Sequence, residues 1–328
     1  MHFGFVIPAF GAFADPGVMA ELVEIGEELD YAHVWFGDHV VVPSYAASIT
    51  DPDWLDPLTC CFMGLARTSR IRFGTDVVVA SYRHPALVAK MVATADHLSG
   101  GRMILGVGVG YLRGEFEILG ASHAERGPVT DEHLDVLRLL WESDGAVVDH
   151  DGAHFPFRGA VFGPAPRQRP MPLWVGGNAP AALRRAASRG AGWHPLFPTP
   201  EQYAAGRARI EQLRADTSAP FDYSYSCGIT MLLERTPEAY VADTWADQEG
   251  VPDDFQYAPP LPVAPEGRLR FVGTPDDVAA DIADYAAAGV QHMALRFSYG
   301  GPDASIPDFI EQLRWFARDV APRFQLSD

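Results

Sequence analysis

The sequence predicts an α/β chain folded as a (β/α)8 TIM barrel. Eight short β-rich runs alternate with longer amphipathic ones, helix starts are marked by a capping residue set before a proline, and 48% hydrophobic residues can fill one large core. The 328 residues form a single barrel domain, 1–328, with insertions near 144–169 and 236–270.

The alternation runs in order. Phe3 to Ile7 precedes Pro16 to Leu29, His33 to Phe36 precedes Leu55 to Arg67, and Ile71 to Ala80 precedes Pro85 to Leu98. Arg102 to Val107 is followed by Thr130 to Trp141, Pro172 to Val175 by Pro180 to Arg189, and Gly192 to His194 by Pro200 to Ala215. Tyr223 to Leu233, with a helix after it, and His292 to Phe297 before Ile306 to Val320 complete the set. Asp15-Pro16, Thr199-Pro200 and Thr274-Pro275 each read as an N-cap followed by proline at the first helical position. Within the first insertion, Asp151-Gly152 suggests a hairpin turn.

Charge excludes some partners. Against 43 acids stand 25 cations, a net −18, and only Lys90 among the cations is a lysine. The arginines are scattered, so a nucleic-acid footprint is not expected, and an anion would have to be held locally by backbone amides and a few arginines. No run of about 18 apolar residues occurs, so no membrane span is expected. Ala12-Phe13-Ala14 resembles a leader-cleavage site, but Gly4, Pro8 and Gly11 and the lack of a basic start favour a buried strand and turn. Cys60, Cys61 and Cys227 form no disulfide framework and suit a reducing cytoplasm. Asp149-His150-Asp151-Gly152-Ala153-His154 reads as a hairpin with polar flanks and not as a metal site; no metal is expected.

Barrel chemistry sits at the C-terminal ends of strands, so the residues just after each strand are the first candidates. After the second strand comes Gly37-Asp38-His39, where His39 can serve as a proton-transfer group or be a loop residue beside a turn-capping Asp38. The third strand carries Gly74-Thr75-Asp76-Val77, in which the glycine marks a bulge, a close ligand approach or ordinary strand-end chemistry. Gly106-Val107-Gly108-Val109-Gly110 ends the fourth strand; its spacing is not the dinucleotide fingerprint, and no helix is expected directly behind it. Trp174-Val175-Gly176-Gly177-Asn178 leads into Ala179-Pro180, either a phosphate cradle at a helix N-terminus, with Asn178 as cap, or a plain capped helix.

Together Trp35-Phe36-Gly37-Asp38-His39, Phe73-Gly74-Thr75 through Tyr82-Arg83-His84-Pro85, Leu98-Ser99-Gly100-Gly101-Arg102 through Gly110, Trp174 to Asn178 and Gly192-Trp193-His194-Pro195 resemble the luciferase-like monooxygenase superfamily. Within it the likeness is to the oxidoreductases that use the deazaflavin coenzyme F420. The resemblance implies a cofactor ring held at the barrel mouth against a bulge in the third strand, with a non-proline cis peptide at Asp76-Val77. It implies cofactor binding by Asp38, Thr75, Asp76, Val77, Gly108, Gly110, Gly176, Gly177, Asn178 and His194, the phosphate resting on Gly176, Gly177 and the Asn178 backbone. It places His39 beside the ring as the first candidate for proton transfer. Where the family's sugar-phosphate dehydrogenases carry a glutamate after the glycine run, this chain has Tyr111, which disfavours that activity and makes Tyr111 the second candidate. Lysine near the phosphate would have to be replaced by an arginine such as Arg158, Arg167 or Arg296.

The expected activity is F420-dependent hydride transfer between the deazaflavin and a small organic substrate in a pocket walled by Phe10, Phe13, Trp54 and Phe62, the same rings being equally suited to core packing. The alternative is an FMN-dependent monooxygenase using reduced flavin and oxygen. A non-catalytic relative is a third reading, disfavoured by the intact His39 and glycine runs. The resemblance also implies a homodimer.

Overall fold

The computed structural model describes residues 1–47, 51–233, 262–297 and 305–324. Eight parallel strands close into a barrel: β1 (His2–Ile7), β2 (His33–Phe36), β3 (Arg72–Thr75), continued by β4 (Val78–Val79), then β5 (Met103–Gly108), β8 (Leu173–Gly176), β9 (Gly192–His194), β10 (Asp222–Met231) and β12 (His292–Phe297). Closure is made by β10, which pairs with β9 on one side and β12 on the other. A two-residue strand, β11 (Val272–Gly273), extends β10.

Helices α1 (Pro16–Glu28), α2 (Pro57–Arg67), α3 (Pro85–Ser99), α5 (Arg126–Glu142), α6 (Pro180–Arg189), α7 (Pro200–Leu213), α8 (Pro275–Ala287) and α9 (Ile306–Asp319) cover the outside. The expected caps are present. Asp15 accepts from the amides of Gly17 and Val18, while Thr199 and Thr274 form reciprocal capping boxes with Gln202 and Asp277. A further helix, α4 (Arg113–Ile118), opens three residues after Gly110, where the sequence predicts none. It is six residues long and its N-cap, Leu112, supplies no side-chain bond, so it leaves neither a periodic nor a capping signal in the sequence.

The insertion at 144–169 contains an antiparallel ribbon, β6 (Val147–His150) and β7 (Phe157–Val161). Its connection is longer than a tight Asp-Gly turn, because Glu132 of α5 gathers the amides of His154 and Phe155. Most of the second insertion lies outside the described residues. Cys60, Cys61 and Cys227 are buried and unpaired, and among the described residues no helix is long and apolar enough to cross a membrane.

Large rings fill the barrel interior opposite glycines. A Cβ on Gly74 would stand 2.2 Å from the Trp35 ring, and one on Gly192 would stand 2.4 Å from Trp174. Gly74 therefore answers to the indole of its register partner on the neighbouring strand β2. Trp35 also donates from Nε1 to His33 Nδ1 at 2.9 Å, so the fully buried His33 ring must keep that nitrogen bare. Outside this layer, Asp38 staples the end of β2 to β4 and the segment after it. Its buried carboxylate takes the Val79 amide and both terminal nitrogens of Arg83, and Arg83 reaches on to Asp56 at the start of α2.

These buried groups set the stability of the barrel and its pH dependence. Asp38→Ala leaves Arg83 without its bidentate partner in a buried setting, and the unfolding free energy should fall by about 3–5 kcal/mol in chemical denaturation. Burial, reinforced by His292 and Arg72, holds His33 well below its ordinary 6.5, and burial lowers His133 to about 3. The unfolded chain therefore binds more protons than the folded one below about pH 6.5, so stability is full above that value and declines as pH falls. Each ring contributes up to about 1.4 kcal/mol per pH unit, and denaturation midpoints compared between pH 7 and pH 5 should show the loss before the carboxylates titrate.

Candidate active site

The mouth of the barrel is shaped by a break in the third strand. After Gly74 the ladder to β5 is carried by the Thr75 side chain, whose hydroxyl donates to the Gly106 carbonyl at 2.7 Å and accepts from the Gly106 amide at 3.0 Å. Pairing resumes with Val78 against Val107. The Asp76-Val77 peptide between them is cis. Val77 drops into a socket of missing side chains: a Cβ on Gly108 would meet it at 2.5 Å, and Cβ atoms on Gly106 and Gly176 would each meet it at 3.3 Å. Gly110, with φ of +77°, sits against Val79 and Phe116. The glycine run thus makes room for the protein's own bulge.

Asp76 turns its carboxylate into a buried polar cluster. Its Oδ1 faces His194 Nε2 at 3.0 Å, while Oδ2 accepts from Ser226 Oγ at 2.9 Å and from Arg296. Burial pushes this carboxyl up, but Arg296 and His194 outweigh it and hold it well below the ordinary carboxylate value. His194 Nδ1 meets Ser224 Oγ at 2.5 Å, and its ring stacks on Trp35. Asp76 and His194 are legible in the sequence; the serines and the tie to Arg296 come from β10 and β12, far along the chain.

A second cluster surrounds His39. Its Nδ1 lies 2.9 Å from Glu115 Oε2, and Tyr111 Oη lies 3.3 Å from its Nε2. Glu115, carried by α4 and fully buried, also accepts from the Val40 and Val41 amides through Oε1 and from the Tyr82 hydroxyl at 3.0 Å through Oε2. Burial raises the Glu115 carboxyl, yet the His39 bond and the two amides outweigh it and keep its value low. Burial, then the Glu115 carboxylate, pushes the Tyr82 phenol upward. The Trp54 ring packs edge-on to His39, with centroids 4.6 Å apart, and Phe10 lies against Trp54. Phe13 and Phe62 belong instead to the core.

Asp38 is not the group that orients His39, since both its oxygens are engaged with Arg83 and Val79. That role falls to Glu115, which sequence reasoning passes over. Its signal is weak: a glutamate on a short stretch without helical periodicity, distant by 76 residues from the histidine it meets.

The remaining predicted residues gather at the start of α6. Gly177 has φ of +107°, a conformation that an L side chain rarely adopts, and its carbonyl accepts from Trp193 Nε1 at 2.9 Å. Asn178 does not cap the helix. Its carboxamide is clamped to Leu196, donating to the carbonyl at 2.7 Å and accepting from the amide at 3.3 Å. The N-cap is Ala179, which supplies no side-chain acceptor, so no side chain caps the amides of the first turn of α6. Of the arginines considered for a phosphate, Arg158 is paired with Asp151 in the ribbon and Arg296 with Asp76, while Arg167 is exposed. Lys90 lies over Phe162. Among the described residues no group of three His, Cys, Asp or Glu could hold a metal.

Known proteins share this architecture. The family description "luciferase-like monooxygenase" matches residues 1–292. A phthiodiolone/phenolphthiodiolone dimycocerosates ketoreductase of Mycobacterium tuberculosis is 27% identical over 266 residues, covering 69% of this chain and 70% of its own. Monooxygenase RslO1 from Streptomyces bottropensis shares the fold with a TM-score of 0.76 at 24% identity, over 99% of this chain and 100% of that one. An F420-dependent secondary alcohol dehydrogenase, solved with an F420-acetone adduct, does so with a TM-score of 0.77 at 20% identity, over 99% of both chains. The bulged barrel and the match over residues 1–292 make this chain a member of the luciferase-like monooxygenase family.

Proposed function

We propose that this protein is an F420-dependent oxidoreductase that moves a hydride between the deazaflavin and a small organic substrate. The observation that carries this reading is the row Glu115, His39, Tyr111 at the barrel mouth. Hydride transfer to or from a carbon-oxygen or carbon-nitrogen bond needs a proton partner, and a buried carboxylate backing an imidazole and a phenol is suited to supply one.

The residues fit such a cofactor. First-turn amides of α6 without a side-chain cap, behind Gly176 and Gly177, suit its phosphate, and the bulge at Asp76-Val77 offers a flat backbone surface for its ring. When bound, the deazaflavin supplies the hydride chemistry. His39 would hold or release the proton at Nε2, with Tyr111 beside it. Trp54 and Phe10 would exclude water from one side of the substrate. Asp76, Thr75, Val77, Gly108 and Gly110 fix the bulge, and His194 braces the Asp76 carboxylate.

The ketoreductase and the alcohol dehydrogenase among its relatives support this reading. The likeness to a monooxygenase favours FMN with oxygen as the second reading.

Fluorescence titration with F420 and with FMN separates the two, and tighter binding of F420 is expected; tighter FMN binding would overturn the choice. His39→Ala should lower turnover by about a hundredfold or more while cofactor affinity changes far less. A variant that lost cofactor binding yet kept its turnover at saturation would move the proton role to Tyr111.

A further inference from the structure

We infer that Glu115 is a positioning residue that fixes the tautomer of His39, placing a proton on Nδ1 and leaving Nε2 bare to accept one at the barrel mouth. The inference deepens the hydride-transfer reading and rests on it only for the use to which Nε2 is put.

An ionised carboxylate only accepts hydrogen bonds, through about four lone-pair sites. Glu115 faces four groups that can donate: the amides of Val40 and Val41 at Oε1, and Tyr82 Oη and His39 Nδ1 at Oε2. The two amides and the phenol can only donate to it in this arrangement, so the anion is fully served when His39 Nδ1 also donates. A protonated Oε2 would have to donate to a bare His39 Nδ1 or to the Tyr82 oxygen, giving up a hydrogen bond that the anion otherwise accepts in a place with no exposure to water. The low value of the Glu115 carboxyl agrees with the anion.

With the proton on Nδ1, the neutral ring presents a lone pair at Nε2. The Tyr111 hydroxyl, 3.3 Å away, can then donate to it, and the Trp54 ring packs against the imidazole at a centroid distance of 4.6 Å. In oxidation of an alcohol Nε2 would take the hydroxyl proton, and in reduction it would return that proton to the carbonyl oxygen, the bound deazaflavin supplying the hydride chemistry. Atoms and charge balance in both directions, and Glu115 itself exchanges no proton.

The geometry makes Glu115→Gln an informative substitution. The two amides demand an oxygen at the Oε1 position, so the new NH2 group must occupy the other, facing Tyr82 and His39 Nδ1. It would donate to Nδ1 and drive the imidazole to the opposite tautomer, with the proton on Nε2. Two-bond 1H–15N correlation spectra of uniformly labelled, cofactor-free protein at about pH 7–9 read the protonated nitrogen directly, the His39 signals being assigned by their loss in His39→Gln.

Wild type should show His39 protonated at Nδ1 and bare at Nε2, and Glu115→Gln should show the reverse. A wild-type ring protonated at Nε2, alone or together with Nδ1, would overturn the inference, as would an unchanged tautomer in folded Glu115→Gln. If that variant does not fold, the wild-type spectrum decides by itself. Failure to bind F420 in the fluorescence titration would remove the proposed reaction and leave the tautomer result standing, so the two can fail separately.

Discussion

The arrangement of this molecule depends on how the third barrel strand is interrupted. Val77 occupies space that Gly108 leaves by carrying no side chain, Gly106 clears the Thr75 carbonyl, and Thr75 replaces a rung of the ladder with its own hydroxyl. That local solution throws the Asp76 carboxylate inward, toward β9, β10 and β12. His194, Ser226 and Arg296 then converge on one anion from three further strands. A buried charge with these partners is stable only while all are present, which ties the far side of the barrel to the bulge.

The two clusters at the mouth divide the labour between shape and proton handling. Asp76 is surrounded by a guanidinium, an imidazole and a hydroxyl on barrel strands, a rigid setting that fixes where backbone is presented. Glu115 is surrounded by amides, a phenol and an imidazole on the connecting segments, and Tyr45 joins those segments again by accepting from the Gly114 amide. Asp38, though next to His39 in sequence, serves neither cluster; its bonds to Arg83 and Val79 hold the scaffold on which both rest. Adjacent residues on an extended chain point apart, so sequence neighbours commonly answer to different partners.

Much of the fold is legible in the sequence because its signals are local. Strand runs, proline-marked helix starts and capping residues are read within a few positions, and the barrel strands fall where those signals place them. The site is legible in part. Asp76, Val77 and His194, which lie together, and Tyr111, which meets His39, are legible because the resemblance names them, whereas the roles of Glu115, Tyr82, Ser226 and Arg296 rest on contacts, 33 to 220 residues apart, that no motif marks. Asn178 shows the opposite failure: its residue type suits a cap, yet Leu196 takes its carboxamide first. Gly177 also resists substitution, since its φ of +107° strains any side chain placed there.

Because Glu115 holds the Val40 and Val41 amides as well as the imidazole, the connection after β2 and the helix after β5 form an interlocked exchangeable part. A new β2 connection grafted onto this barrel would arrive without the amides that Glu115 requires, while a new helix after β5 would strand the histidine. Diversification of such a mouth is therefore expected to proceed by paired replacement of the two connections, with the eight-stranded frame beneath them left alone.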